Sequence, residues 1–155
     1  KYVSNDLSDP QQTVITQALY ENEDTSIGTA YIDRLKNEAI NELNTYASFD
    51  PGWDGYTACT FEESVIKSAV NVVFQLSNVF KYNDLVPEEI TPGPVSDGCI
   101  DIEIRVKGKY AIITLDPDTD KIAIYREWEE RDFEFEEIYP DIEMTYLRLL
   151  DWIIS

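Results

Sequence analysis

The stretch Asp97-Gly98-Cys99-Ile100-Asp101-Ile102-Glu103-Ile104-Arg105-Val106 decides the fold class. Ile100, Ile102, Ile104 and Val106 alternate with Asp101, Glu103 and Arg105. A period of two puts apolar side chains on one face of a strand and charged ones on the other. Lys107-Gly108 then reads as a tight turn into a second run from Tyr110 to Leu115, and residues 116–120 as another turn into a run from Lys121 to Trp128. A fourth strand is expected around Phe133 and Phe135, with Glu134 and Glu136 alternating with them and facing water. The pattern predicts an antiparallel meander of three to four strands with one wet face.

Upstream the period is helical. Ile32, Leu35, Ala39, Leu43, Tyr46 and Ala47 mark a first helix from Ser26, stopped by Asp50-Pro51-Gly52. A second is expected from Thr60, with Thr60 and Glu63 as a capping box, to Tyr82-Asn83. Its broad apolar face (Val65, Ile66, Ala69, Val70, Val73, Leu76, Val79, Phe80) suits a helix buried on more than one side. Pro87, Pro92, Gly93 and Pro94 read as an extended connection. Pro140 suits the first position of a last helix, whose face carries Ile142, Tyr146, Leu149, Leu150 and Ile153. The expected fold is a two-layer α+β domain in the order α-α-β-β-β-β-α over residues 26–155. Residues 1–25 are expected to form a polar arm of uncertain order.

The 155 residues fit one domain, and 43% hydrophobic residues are enough for a core without disulfide or metal staples. The formal net charge is −19, a field that repels phosphate backbones and anionic lipid. Direct binding of nucleic acid or membrane is therefore not expected, and a basic protein or a cation is the attracted partner; the other reading of the acidity is solubility alone. No run approaches the ~20 apolar residues of a membrane-spanning helix. The chain begins at Lys1, which leaves a removed leader open; the expected location is cytoplasmic.

Trp53-Asp54-Gly55-Tyr56 lies between the two predicted helices and reads as a structural corner. Trp53 and Tyr56 are large rings expected to plug the gap between helices and sheet, Gly55 permits an unusual backbone angle, and Asp54 can accept backbone N–H bonds. This block continues Thr57-Ala58, and with the later Asp97-Gly98-Cys99-Ile100-Asp101-Ile102-Glu103-Ile104 it resembles a family of small uncharacterised bacterial and phage proteins. The family pattern is W-D-G-Y-G-A followed by D-G-x-(I/V)-x-(L/I)-E-W. Thr57 stands where the pattern has its second glycine, and Ile104 where it has the closing Trp. The resemblance spans about a third of the chain and implies a fold, not an activity.

The chain has no His, which removes Ser-His and Cys-His mechanisms and the commonest zinc ligand. Cys59 and Cys99 are too few for a structural zinc site, and Lys67-Ser68 lacks the glycines of a phosphate loop. Asp116, Asp118, Asp120 and Glu127 imitate an EF-hand spacing, but Lys121 occupies the obligatory glycine position and Pro117 stiffens the start, so a polar hairpin tip is expected. No metal or cofactor is expected. Asp101 and Glu103 share a strand face, as paired catalytic carboxylates would, and so do ordinary solvated acids.

The best functional candidate is the run from Glu127 to Glu137: Glu127, Trp128, Glu129, Glu130, Glu134, Glu136 and Glu137, with Asp132. Acids steer a basic partner and an exposed aromatic supplies an anchor; a solvated strand pair with buried aromatics also accounts for the run. The expected function is a non-enzymatic acidic protein-binding domain, of inhibitor, immunity-like or antitoxin-like kind, or a nucleic-acid mimic in a DNA-binding cleft. The alternative is a carboxylate- or metal-dependent enzyme, which a deep cleft with converging acids would reveal.

Overall fold

In the computed structural model the backbone is described for residues 10–118, 122–128, 131–139 and 142–155, and side chains for 27–118, 122–127 and 146–155. Ile100–Val106 forms the expected strand. Lys107 and Gly108 both take positive φ, 50° and 75°, the two-residue turn whose twist matches the flanking strands. In chain order the strands are β1 (Glu89–Pro94), β2 (Ile100–Val106), β3 (Lys109–Leu115), β4 (Ile122–Trp128) and β5 (Arg131–Tyr139). They pair in that order, all antiparallel.

The helices are α1 (Pro10–Thr45), α2 (Glu63–Tyr82) and α3 (Ile142–Ile154), with a 3-10 turn at Tyr46–Ser48. The architecture is α+β: helices on one face of an antiparallel sheet. Ile90, Ile100, Ile102, Ile104, Val106, Ala111, Ile113, Leu115, Ile122 and Ile124 form one buried face. They share a continuous core with Ile32, Ala39 and Leu43 of α1, with Val65, Ile66, Ala69, Val72, Val73, Leu76 and Phe80 of α2, and with Tyr146, Leu149 and Ile153 of α3. The alternate residues of β1, β2 and β3, and of β4 over residues 122–127, point the other way and are only half-buried or exposed.

Three boundaries differ from the sequence expectation. The helix expected from Ser26 starts at Pro10, so its backbone runs through much of the segment read as an arm. Pro is preorganised for the first helical turn, and Gln11, Gln12, Ala18, Leu19, Glu21 and Glu23 are good helix formers, a signal that periodicity alone misses. The second helix starts at Glu63, not Thr60, and no side chain caps it. Phe61 explains the delay. It is buried, its ring 5.3 Å from Tyr46 and 5.7 Å from Trp53, while the Cys59 N–H is held by the Ser96 carbonyl at 2.8 Å.

The third difference is β1, a fifth strand within the segment expected to be a connection. Its two prolines face Ile102 and Ile100 in the register. The Val95 N–H donates to the Cys99 carbonyl at 3.1 Å. Hydrogen-bonded positions alternate along an antiparallel pair, so residues 93 and 91 share that phase, whereas Pro92 and Pro94 turn their nitrogens away from β2. Prolines at an edge therefore cost this ladder nothing.

Two charged contacts tie the elements together, one between helices and one between sheet and helix. Lys81, in the last turn of α2, bonds the Asp33 carboxylate of α1, and with Lys36 it holds that carboxyl below its ordinary range. Lys109 is buried on the helix side of β3. Its ammonium donates to the Trp152 carbonyl at 2.5 Å, the Ile153 carbonyl at 3.1 Å and the Ser155 hydroxyl at 3.3 Å. A cation at the carbonyl end of α3 satisfies groups the helix cannot pair itself and opposes its dipole.

Candidate protein-binding face

The corner is built from stacked rings. Phe49 contacts Tyr46 and Trp53 at 5.2 Å each, and Trp53 reaches Phe61 at 5.7 Å. The Trp53 indole N–H donates to the Cys59 carbonyl at 2.9 Å, across the loop that leads into α2. Asp54 Oδ1 accepts the N–H groups of Tyr56 at 2.9 Å and Ala58 at 3.2 Å, closing the turn from inside. Gly55 takes φ +85°. Gly52 takes φ +75°, and a Cβ there would meet the Tyr56 carbonyl oxygen at 3.0 Å. Tyr56 departs from expectation: it is 84% exposed and plugs nothing. The positive φ at Gly55 and the capture of the Tyr56 N–H by Asp54 swing its ring outward, and Phe61, unmarked by any motif, fills the core instead.

The acidic run divides across the β4–β5 hairpin. Glu127 is exposed, and its Cα partner is Tyr110 of β3. Glu129 and Glu130 lie outside the described residues. For Trp128, Glu134, Glu136 and Glu137 the backbone alone is described. The register sets Glu134 opposite Arg126 and Glu136 opposite Ile124. The expectation that their side chains face water lies outside the described residues.

Among the described residues the helices leave the other sheet face uncovered. Its strand registers assemble three rows. Glu89, Arg105, Tyr110 and Glu127 form the first; Thr91, Glu103, Ile112 and Tyr125 the second; Gly93, Asp101, Thr114 and Ala123 the third. The Tyr110 and Tyr125 rings meet edge to face at 6.5 Å. Arg105 lies 4.9 Å above the Tyr110 ring, with its Nε 3.6 Å from Glu89. Neither Glu103 nor Glu127 forms an ion pair among the described residues. Burial together with Glu103 and Glu89 pushes the Tyr110 hydroxyl up to about 12, Arg105 opposing, so the local field is net negative even beside a guanidinium. Arg105, Gly108, Tyr110 and Glu127 border an open hollow of about 310 Å³ at one end of the face. The central residues Tyr110, Ile112 and Tyr125 carry no motif in sequence. Only the alternation of β3 and β4, laid side by side in register, brings them together.

On this face Asp101 is a carboxylate whose pKa is raised. Burial raises its pKa, the Thr114 hydroxyl bond at 2.6 Å opposes that, and Asp97 adds to the rise. The folded state therefore holds this proton more tightly than the unfolded chain, and the ionised form at neutral pH detracts from stability. The loss begins as pH rises past the ordinary value of 3.8 and is complete above the folded pKa. Asp101→Asn keeps an acceptor for Thr114. The variant is expected to be more stable than the native protein at about pH 7 and to lose that advantage at about pH 3, read from urea midpoints at both. Equal midpoint differences at the two pH values would remove burial as the cause.

Cys59 is exposed and Cys99 buried, and neither is in a disulfide. Burial, with Asp97, Asp116 and Asp101 nearby, pushes the Cys99 thiol up to about 12, so it is not a nucleophile near neutral pH. Asp116 Oδ1 accepts the Asp118 N–H at 2.8 Å in a local turn. Among the described residues no group of three or more Cys, Asp or Glu is placed to hold a metal ion, and no helix is long and apolar enough to cross a membrane. No protein-family model, no curated protein and no solved structure matches this chain. The reading of the site therefore rests on its geometry and charge.

Proposed function

We propose that this protein is a non-enzymatic, acidic binding domain that takes a basic protein partner, in the manner of an inhibitor, immunity or antitoxin protein. The observation that carries this reading is a sheet face left uncovered among the described residues, with rings at its centre and an excess of carboxylates around them, of which Glu103 and Glu127 form no ion pair among the described residues, on a chain of net charge −19. Such a face has the makings of an interface: apolar contact in the middle and charge at the rim. The same charge raises the encounter rate with a basic surface.

The test is capture from the native host on the immobilised protein, followed by association kinetics of the recovered partner at low and high salt. Exposed charges are screened beyond about 8 Å at physiological ionic strength, so the on-rate should fall roughly tenfold or more between dilute and ~0.5 M salt. An on-rate independent of salt, or an acidic partner, would count against the reading.

A further inference from the structure

We infer that the partner segment is basic with an apolar centre, and that it docks on the open sheet face with Ile112 as its apolar seat. The inference rests on the binding function proposed above and adds where the partner sits and what chemistry it presents.

Ile112 lies in the central strand of five, on the helix-free side, half-buried, with Glu103 as its register partner on β2 and Tyr125 on β4. Tyr110, two residues earlier, shares that side and contacts the Tyr125 ring. A branched apolar side chain thus sits beside two tyrosines at the middle of a sheet surface. Small residues continue the floor on one side: Thr114, Ala123 and Gly93 keep the third row low.

Around that floor stand Glu89, Asp101, Glu103 and Glu127, and among the described residues of these rows Arg105 is the single cation. Arg105 is already engaged, stacked on Tyr110 and beside Glu89. A partner's acid would therefore meet repulsion from the rest of the ring, with no further cation among the described residues of these rows to answer it. Arginines placed two residues either side of an apolar residue in an extended segment would lie about 7 Å from it, within reach of carboxylates on the neighbouring strands. A second copy of this chain fits poorly, because its own face would bring the same excess of acid. The occupant best matched in charge is thus a basic segment.

The test uses the full protein and peptides of about a dozen residues with arginine at alternate positions and a central leucine. Control peptides replace the leucine by serine, or every arginine by citrulline. Backbone amide shifts locate the peptide, and a fluorescence titration measures affinity. We expect shifts centred on Tyr110, Ile112 and Tyr125. Ile112→Thr, which keeps a β-branched residue, should weaken the leucine peptide about tenfold, as expected of a central contact. The same variant should leave the serine peptide nearly unchanged. Glu103→Gln with Glu127→Gln should weaken both arginine peptides by about tenfold at low salt and much less at high salt, while Glu38→Gln with Glu63→Gln on the helices should not. Thermal melts check that each variant is folded.

Should the arginine peptides bind with shifts on the helices or the β4–β5 turn, and Ile112→Thr change nothing, the seat is wrong while a basic partner elsewhere on the protein survives. Should neither arginine peptide bind at low salt, the seat and the basic partner both fall.

Discussion

Trp53→Ala lowers the free energy of unfolding by about 3 kcal/mol, near the lower end for an aromatic truncated in a core. The value sits at that end because Trp53 is half-buried against the core, not enclosed by it. Two losses combine. The ring leaves contacts with Phe49 and Phe61, and the Cys59 carbonyl loses its indole donor. These groups join the end of α1 to the start of α2, so the effect should appear as a lower urea midpoint with an unchanged slope. A loss below about 1 kcal/mol, with partner binding impaired, would instead make the corner a contact surface.

Lys109→Met is expected to cost about 2–3 kcal/mol, since charged hydrogen bonds are worth about 1.5–3 kcal/mol where they replace water imperfectly. Methionine keeps most of the aliphatic stem, so packing changes little and the lost ammonium dominates. The Trp152 and Ile153 carbonyls lose their donor, and the end of α3 loses the charge opposing its dipole. The Lys109 ammonium also lies 5.4 Å from the Trp152 ring, so detachment of α3 should show in the fluorescence of that ring before global unfolding. Hydrogen exchange along α3 gives an independent reading. Unchanged protection there would mean that apolar packing alone holds the helix.

Much of the fold was legible because its signals are local. The alternation over residues 100–106 needs no tertiary knowledge, and neither does the positive-φ turn that Lys107-Gly108 supplies. β1 was hidden because Pro92, Gly93 and Pro94 argue against a strand by propensity, and only the phase of the ladder shows that an edge tolerates them. The start of α2 was misplaced because Thr60 and Glu63 satisfy a capping rule that the burial of Phe61 overrides. The site was less legible. Glu127 was singled out for its acidic neighbours, yet the described groups beside it are tyrosines: Tyr110 of β3 opposite it, and the Tyr125 hydroxyl, which donates to its carboxylate at 3.4 Å. Such a surface is a product of register, which composition and motif do not encode. Lys109 shows the same limit, since nothing near it in the chain foretells that a lysine would meet the end of a helix more than forty residues away.

The proline phase of β1 also bears on how molecules of this protein meet one another. An exposed strand margin ordinarily offers donors and acceptors to the strand of a neighbour, the first step toward ordered aggregates. Here Pro92 and Pro94 present carbonyls but no donors on that margin, and of the outward positions in β1 only Ile90 keeps its N–H. An incoming strand would leave its matching acceptors unanswered and would gain little from docking. At the opposite margin, β5 carries Asp132, Glu134, Glu136 and Glu137, so a second copy laid alongside it would bring like charges together. One edge thus lacks donors and the other carries an excess of like charge in its sequence, two unrelated features that each disfavour growth of the sheet between molecules.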